Sequence, residues 1–234
     1  MLGFQINLTN KMIIFIPIKH NSQRVHRKNF RRFGKEPLFK HTLLKLKNHQ
    51  VYVDTDSQDI IDLISSDKRL NHVTTYHRKE NLRGDKVSVC HLIRNFIEEY
   101  NIEQPIVQLH VTSPFLTIKM LEDAYKKISS HDSVVSCTVH NSRFWRKENY
   151  GMCPLNHNPV KLEQTQDLPS LYEENSCFYI FNPCVIINLG SRIGSNPYFY
   201  EMAYPHNIDI DNEEDWDNAV NVFNSNQAIK KGKL

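Results

Sequence analysis

The sequence predicts an α/β protein with a mostly parallel sheet and helices on both of its faces. Between residues 12 and 139, short apolar runs alternate with segments of helical periodicity, which is the pattern of successive β-α units. The runs are continuously apolar, as expected of strands that are covered on both faces. Polar loops follow several of these runs, and ligands of such sheets bind at the carboxyl ends of the strands.

The first predicted strand is the Ile-rich run Met12–Ile18, which ends at a polar loop. A helix is expected over Leu38–Lys47, because its apolar residues recur at helical spacing. Val51–Val53 is a short strand, and Ser57 is placed to cap a helix over Gln58–Ser65.

The alternation continues with a strand at His72–Tyr76 and a helix over about Asp85–Tyr100, with Asp85 as its cap. The apolar side chains of this helix lie on one side of it. The next predicted elements are a buried strand at Pro105–Val111, a helix at Thr117–Ser129 and a strand at Ser133–Val139.

Residues 140–175 interrupt the alternation, because they are polar and carry four Pro or Gly residues with little helical periodicity. A segment of this length inside a domain is typical of a functional loop or of a contact with another chain. A strand over Ser176–Phe181, strand-like segments up to Ile210 and a helix over Glu213–Phe223 complete the prediction. We therefore divide the chain into an N-terminal extension (1–11), one domain (12–223) that contains the insert 140–175, and a C-terminal tail (224–234).

The composition excludes several classes of function. The chain has only 7 Gly, and neither G-x-G-x-x-G nor G-x-x-x-x-G-K-[ST] occurs, which argues against a dinucleotide-binding Rossmann protein and a P-loop NTPase. A net charge of +3 does not indicate nucleic-acid binding, and no apolar run is long enough to cross a membrane. The five Cys are scattered without a C-x-x-C pair, so we expect reduced thiols in the cytoplasm rather than disulfides or a zinc site.

The loop after the first strand is rich in basic and short polar side chains. Five Lys or Arg residues lie from Lys19 to Arg31, interleaved with Asn and Ser. At the end of a parallel strand this arrangement suits a polyphosphate, and a solvated basic loop is the alternative. Asn tolerates turn backbone, so we expect Asn21 to lie in a turn, in a loop wrapped around phosphate.

A second motif is the segment Ile208-Asp209-Ile210-Asp211. Alternation along an extended chain places Asp209 and Asp211 on the same face, where two carboxylates can converge on one Mg²⁺. The alternative is a helix cap, with Asp211 or Asn212 at the N-cap position and acidic residues in the first turn. That alternative leaves Asp209 unexplained.

Two further motifs stand at predicted strand ends. His110, Thr112 and Ser113 follow a central strand and project near the expected ligand crevice, although a single His is often structural. The segment from Asp54 to Ser57 is interpreted as a turn that leads into a helix cap.

Taken in order, the motifs resemble those of one family. They read I-P-x-K-x-N-S-x-R-x-x-x-K-N, T-D-S, R-x-x-x-L-x-x-D, T-S-P, E-N-S-x-x-Y-I-F and I-D-I-D-x-x-x-D. This series is similar to that of the acylneuraminate cytidylyltransferases, the CMP-sugar synthetases, over nearly the whole chain from Met12 to about Val222. The first and last motifs are specific when they occur together.

The resemblance implies a nucleotide-diphospho-sugar-transferase-like fold, usually in a homodimer formed through an extended segment, where residues 140–175 stand. The implied reaction joins CTP to a sugar acid and gives a CMP-sugar and pyrophosphate, with Mg²⁺ as cofactor. The implied nucleotide-binding residues are Lys19, Ser22, Arg24, Lys28, Asn29, Arg78, Val87 and Ser88. The implied metal ligands are Asp209 and Asp211, and Lys19, Lys28 and Asp211 are the expected catalytic residues. For the sugar pocket we expect His110, Tyr172 and Asn175.

The chain departs from the family pattern at several positions. Lys19 replaces the usual Arg, Gln23 replaces the usual Lys, and His110 stands where Gln is common. The segment Gln164–Pro169 lacks the Arg that meets the sugar carboxylate in sialic acid enzymes, for which Arg143 or Arg146 is a candidate replacement. The identity of the sugar acid therefore stays open. The alternative functions are a nucleotidyltransferase that uses another nucleotide and a non-catalytic protein that binds a nucleotide or sugar.

Overall fold

A seven-stranded sheet forms the centre of the molecule. The computed structural model describes residues 11–22 and 24–230. Its strands are β1 (Ile13–Ile18), β2 (Arg32–Phe33), β3 (Glu36–Pro37), β4 (Gln50–Thr55), β5 (Val73–His77), β6 (Ile106–Leu109), β7 (Ser133–His140), β8 (Trp145–Glu148), β9 (Gly151–Pro154), β10 (Leu171–Phe181) and β11 (Pro197–Glu201). Its α-helices are α1 (Leu38–Leu43), α2 (Gln58–Ser65), α3 (Val89–Tyr100), α4 (Ile118–Tyr125), α5 (Pro183–Leu189) and α6 (Glu213–Lys230). The proposed N-terminal extension lies outside the described residues except for Lys11, and so does Gln23.

The sheet has the strand order β11-β7-β10-β6-β1-β4-β5. Strands β6, β1, β4 and β5 pair in parallel, and β11 is parallel to β7. Only β10 runs the other way within this sheet, since it pairs antiparallel with both β6 and β7. The predicted mostly parallel sheet is confirmed.

The two sides of β1 show how helices cover both faces of the sheet. Ile14, Ile16 and Ile18 lie in one buried cluster with side chains of α1, α2 and α4. Ile13 and Phe15 lie in a second cluster with α3 and α5. Neighbouring residues of a strand point to opposite faces, so a continuous apolar run is buried on both sides. The prediction of helices on both faces is therefore confirmed.

A third apolar cluster anchors the C-terminal helix next to the sheet. Phe33 and Leu38 pack with Ile208, Ile210 and Trp216. Because both Ile208 and Ile210 are buried in this cluster, the segment between them is fixed on either side. The intervening Asp209 is thereby held in one place.

Several predicted boundaries are confirmed and others are wrong. Ser57 caps α2, since its hydroxyl accepts a hydrogen bond from the Ile60 backbone N–H at 3.4 Å. Asp85 does not cap α3, which begins at Val89 with Ser88 at the N-cap position. Gly84 has a φ of 101° in the turn before it, and the Asp85 carboxylate is paired elsewhere.

The C-terminal part departs further from the predicted pattern. The helix expected to end at Phe223 continues to Lys230, because neither Gly nor Pro interrupts the polar residues after Phe223. Most of the predicted tail is therefore helical. Helix α5 was not predicted, although Pro183 at its start and Gly190 after its end are typical helix boundaries.

The predicted insert 140–175 contains the hairpin β8–β9 and the extended first part of β10. It carries unusually exposed apolar side chains. The exposed fraction is 93% for Val160 and 91% for Leu162. No helix among residues 11–22 and 24–230 has both the length and the apolar character to cross a membrane.

Candidate functional site

A cavity of about 510 Å³ opens at the carboxyl ends of β1 and β6. The loops after β1, β5 and β6 meet the segment before α6 around it, so residues far apart in sequence face one space. Ten of the thirteen predicted site residues line it, namely Lys19, Ser22, Arg24, Lys28, Asn29, Arg78, Val87, His110, Asp209 and Asp211. Ser88, Tyr172 and Asn175 are not part of its wall.

The loop from Lys19 to Asn29 is held from both ends. The Asn29 side-chain amide donates to the Lys19 carbonyl at 2.9 Å. The His20 backbone N–H donates to the Asp56 carboxylate at 2.7 Å, and the His20 Nδ1 lies 2.6 Å from the Ser57 hydroxyl. The segment interpreted as a turn into a helix cap therefore also fixes the basic loop.

The backbone of this loop is irregular, with a bend at His20. Asn21 lines the cavity, but it lies in neither a turn nor a bend and does not adopt a positive φ, so the predicted turn at Asn21 is wrong; the turn of this loop is at His26 and Arg27. The left-handed conformation falls instead on Arg27, with a φ of 48°.

The cations of the loop face carboxylates across the cavity. Lys19 lies 3.1 Å from the Asp85 carboxylate, and Arg24 lies 2.9 Å from that of Asp211. Lys28 lies 3.6 Å from Asp211 and also donates to the Ile210 carbonyl. Only 12% of the Lys28 side chain is exposed, so its ammonium is a fixed positive charge in the cavity wall.

The structure separates helix capping from the pair of aspartates. Asn212 caps α6, because its side chain accepts from the Asp215 backbone N–H at 2.9 Å. The Asp215 carboxylate accepts in return from the Asn212 backbone N–H at 3.0 Å, which completes a capping box. The cap alternative is therefore correct for Asn212, and the carboxylates of Asp209 and Asp211 remain directed at the cavity.

Asp209 is held by the segment that follows β6. The Ser113 hydroxyl donates to its carboxylate at 3.3 Å, and the Ile210 backbone N–H donates to the Thr112 carbonyl at 3.0 Å. Burial raises the pKa of Asp209, against the lowering effect of the Thr112 and Ser113 hydrogen bonds, and the negative charge of Asp211 raises it further.

The two aspartates suit a divalent cation. Carboxylate oxygens are ligands of Mg²⁺, which commonly binds through one or two carboxylates, waters and substrate phosphates. Within the described part of the chain, no group of three or more His, Cys, Asp or Glu could hold a metal ion. The site therefore fits a cation that substrate oxygens help to bind.

Arg78 closes the other end of the cavity. Its guanidinium pairs with the Asp54 carboxylate and donates to the Asp54 carbonyl at 3.2 Å. Both side chains are buried, with exposed fractions of 1% and 0%. Burial raises the pKa of Asp54, and the charge of Arg78 opposes this shift. The predicted base-contacting Arg is thus fixed by a buried partner that the sequence did not reveal.

The wall on the β10 side contains His110 and Ser176. Behind His110 lies Gln108, whose amide nitrogen is 3.0 Å from the His110 Nε2. Arg192 donates to the Gln108 oxygen at 2.6 Å and stacks on the Tyr179 ring at 3.7 Å. Strand alternation could have placed Gln108 beside His110. No local pattern identifies Arg192, because it lies between α5 and β11, 84 residues from Gln108 in the sequence.

The remaining predicted sugar residues lie along β10. Asn175 donates to the Thr138 hydroxyl at 3.2 Å and accepts from the Cys177 backbone N–H at 3.3 Å, at an irregularity in the pairing of β10 with β7. Its neighbour Ser176 has a φ of 58°. Tyr172 is 51% exposed, and its ring contacts that of Phe199 rather than the cavity.

Neither candidate for the missing carboxylate-binding Arg lines the cavity. Arg143 donates to the Glu163 carbonyl, and Arg146 pairs with Glu148 on the β8–β9 hairpin. Both residues lie in the insert 140–175, away from the cavity of their own chain.

Comparison with known proteins gives a consistent result. A family model described as cytidylyltransferase matches residues 13–230. An N-acylneuraminate cytidylyltransferase of Streptococcus agalactiae is 26% identical over 233 residues, which cover 94% of this chain and 55% of that protein. N-acylneuraminate cytidylyltransferase A of Danio rerio is 30% identical, over 72% of this chain and 39% of its own length. A pseudaminic acid cytidylyltransferase of Campylobacter jejuni is 25% identical, over 72% of this chain and 77% of its own. The chain thus spans about half the length of the Streptococcus agalactiae relative.

Solved structures share the fold. A CMP:2-keto-3-deoxy-manno-octonic acid synthetase complexed with CTP superposes with a TM-score of 0.66 at 13% identity, over 92% of this chain and 99% of that one. The 4-diphosphocytidyl-2C-methyl-D-erythritol synthase of Anaerococcus prevotii gives a TM-score of 0.62 at 11% identity, over 91% of this chain and 96% of that one. These likenesses confirm the nucleotide-diphospho-sugar-transferase-like fold.

Proposed function

Since the chain belongs to the cytidylyltransferase family, we propose that it transfers CMP from CTP to the anomeric hydroxyl of a nonulosonate-like sugar acid and releases pyrophosphate. The observation that carries this proposal is the cavity at the carboxyl edge of the sheet, which is lined by cations of the basic loop and by the carboxylates of Asp209 and Asp211. The names of the curated relatives, which refer to N-acylneuraminate and pseudaminic acid, support a sugar acid as the acceptor.

In the proposed reaction, the main role of the protein is to position charged groups around the phosphates. The anomeric hydroxyl attacks the α-phosphorus of CTP and releases its proton to solvent water. Its bond to that phosphorus forms as the bond from the α-phosphorus to the bridging oxygen of the β-phosphate breaks, and pyrophosphate leaves with the electron pair. Lys19, Arg24 and Lys28 neutralise the phosphate oxygens, with Lys28 already fixed by the Ile210 carbonyl. Arg24 is 69% exposed, so it can turn from Asp211 to a phosphate at little cost.

We assign the binding of Mg²⁺ to Asp209 and Asp211. When bound, the cation supplies positive charge to phosphate oxygens and lowers the pKa of a coordinated hydroxyl. Ser113 and Thr112 position Asp209 for this task.

The nucleotide base is expected at the loop after β5. The buried pair with Asp54 fixes Arg78, and Val87 lines the cavity just before α3, with Ser88 next to it at the N-cap position. Specificity for cytosine is testable by thermal shift, because a ligand that binds only the folded state raises the unfolding temperature. Protection by CTP with no protection by UTP, ATP or GTP is the expected result.

The reaction itself is tested by pyrophosphate release. The purified chain is incubated with CTP, Mg²⁺ and each member of a panel of sugar acids, and the product is identified by mass spectrometry. One or more sugar acids should yield pyrophosphate and a CMP-sugar in equal amounts. CTP binding without pyrophosphate release across a panel that includes acylneuraminate, pseudaminic and octulosonic acids would favour the non-catalytic alternative.

We further propose a homodimer formed through residues 140–175, in the cytoplasm. Val160 and Leu162 are almost fully exposed, and a second chain would remove such apolar surface from water. All five Cys are free thiols, in agreement with a reducing compartment.

A further inference from the structure

A line of three hydrogen-bonded side chains ends at the cavity. Arg192 Nη1 donates to Gln108 Oε1 at 2.6 Å, and Gln108 Nε2 lies 3.0 Å from His110 Nε2. His110 is part of the cavity wall, whereas Gln108 and Arg192 lie behind it. Gln108 is fully buried, and its amide nitrogen also donates to the Leu109 carbonyl at 3.2 Å, which helps to hold the amide in place.

The direction of every hydrogen bond in this line follows from Arg192. A guanidinium has donors and no acceptor, so the oxygen of the Gln108 amide must face it. The amide nitrogen must then face His110, and the His110 Nε2 must accept. A neutral imidazole that accepts at one ring nitrogen carries its proton on the other, which here is Nδ1. Nδ1 makes no hydrogen bond to any residue that the structure describes.

The ring is neutral at physiological pH. Burial lowers the pKa of His110 to about 4, and the positive charges of Arg192 and Lys28 act in the same direction. His110 therefore adds an uncharged N–H donor to the cavity wall, at a position fixed from behind.

The order of the strands indicates which part of the substrate this donor meets. Along the carboxyl edge, the Arg78 loop follows β5, the Lys19–Asn29 loop follows β1, His110 follows β6, and Ser176 lies on β10. With the base at the Arg78 loop and the phosphates at the basic loop, the acceptor sugar is left with the side of the cavity formed by His110 and Ser176.

We propose that Arg192, acting through Gln108, holds His110 in the Nδ1–H tautomer, and that this N–H donates to an oxygen of the sugar acid. This inference rests on the proposed function. Arg192 and Gln108 are positioning residues, because they act through His110 rather than on the substrate. The stacking of Arg192 on Tyr179 keeps the donor at the start of the line in place.

The tautomer can be read directly from ¹⁵N–¹H spectra of the His ring nitrogens at pH 7.5. A His110→Gln variant assigns the His110 signals among the 12 His of the chain. The wild type should carry its ring proton on Nδ1. Gln108→Glu, of nearly the same shape, offers only acceptors and should move the proton to Nε2. Arg192→Met allows the Gln108 amide to turn over and should give a mixture of the two His110 tautomers. Arg192→Lys keeps a group that can only donate and should preserve the wild-type spectrum.

Kinetics test what the N–H is for. Gln108→Glu and Arg192→Met should raise the KM for the sugar acid about 3- to 10-fold, the loss expected for one hydrogen bond, with the KM for CTP within twofold. Arg32→Met is the matched control, since Arg32 is exposed and, among the residues that the structure describes, its side chain donates only to the Gly34 carbonyl. This variant should change neither constant.

Three results would overturn the inference: a wild-type ring proton on Nε2, an unchanged His110 spectrum in both Gln108→Glu and Arg192→Met, or an equal rise in both KM values. If the wild type releases no pyrophosphate with any sugar acid, the proposed function fails, and the spectra alone then decide whether Arg192 sets the tautomer.

Discussion

The carboxylate of Asp211 offers a sharp test of the site, because its expected effects on activity and on stability differ widely. Asp211→Asn keeps the size of the side chain and the backbone hydrogen bond to Asp215, which is 2.9 Å long. It removes the negative charge that faces Arg24 and Lys28 in the cavity. If this charge helps to hold Mg²⁺ at the phosphates, turnover should fall steeply while the fold stays intact.

The magnitudes follow from exposure. The side chains of Arg24 and Asp211 are 69% and 43% exposed, and an ion pair at such a surface is worth about 0.2–1 kcal/mol. Lys28 keeps its bond to the Ile210 carbonyl, so the total loss of stability should be about 1 kcal/mol, or about 2–4 °C in Tm. A fixed charge that stabilises the transition state is worth about 10²–10³ in kcat.

Glu213→Gln is the matched control. Glu213 lies two residues further on and pairs with Arg31 at 2.6 Å, but it does not line the cavity. Pyrophosphate release and thermal unfolding should be measured on both variants. We expect a similar small change in Tm for the two and a loss of activity only in Asp211→Asn. Activity of Asp211→Asn within about threefold of wild type would refute the metal role of Asp211. An equal loss of activity in Glu213→Gln would show that activity depends on the net negative charge near α6 rather than on the carboxylate of Asp211.

Three further predictions concern the scaffold. Asp54→Asn leaves Arg78 buried without a charged partner and should lower the free energy of unfolding, measured in urea, by about 3–5 kcal/mol. The control Asp123→Asn, at an exposed pair with Lys126, should lower it by less than about 1 kcal/mol. Equal losses in the two variants would contradict the stabilising role of the buried pair. Leu162→Asp should convert the proposed dimer to a monomer in light scattering, and an unchanged mass would exclude Leu162 from the interface. Burial lowers the pKa of His41 to about 4, so as the pH falls from 6.5 the unfolded chain binds a proton that the folded chain does not, and the free energy of unfolding decreases. His41→Phe should make this decrease smaller in urea titrations between pH 6.5 and 4. An unchanged pH dependence would refute the role of His41.

Local patterns were sufficient for most of the sheet and for the anionic half of the site. An apolar run such as Met12–Ile18 fits only a strand that is covered on both faces, and the hydroxyl of Ser57 has a clear local partner in the first turn of α2. The spacing of Asp209 and Asp211 predicted that they share one face, and both line the cavity. The chain there is held by loop contacts rather than by strand pairing.

Features that depend on tertiary contacts could not be predicted in this way. Nothing near β10 in the sequence indicates that it runs antiparallel, because direction depends on how the chain returns after β7. The partner of Arg78 is 24 residues away, and Arg192 is 84 residues from Gln108. Tyr172 and Asn175, expected in the sugar pocket, do not line the cavity, because they lie along β10, where Tyr172 contacts Phe199 and Asn175 contacts Thr138.

The shortage of Gly bears on how the cavity would bind phosphate under the proposed function. A Gly-rich loop binds phosphate through backbone N–H groups, whose partial charges do not change when side chains are replaced. In this chain positive φ values next to the cavity occur at Arg27 and Ser176 as well as at Gly84, and the cavity presents Lys19, Arg24 and Lys28. In the proposed site, phosphate recognition would therefore depend on full charges carried by side chains, two of which are substantially exposed. Full charges at exposed positions are screened by salt, so the affinity for nucleotide should depend strongly on ionic strength, whereas the buried Lys28 keeps its contribution.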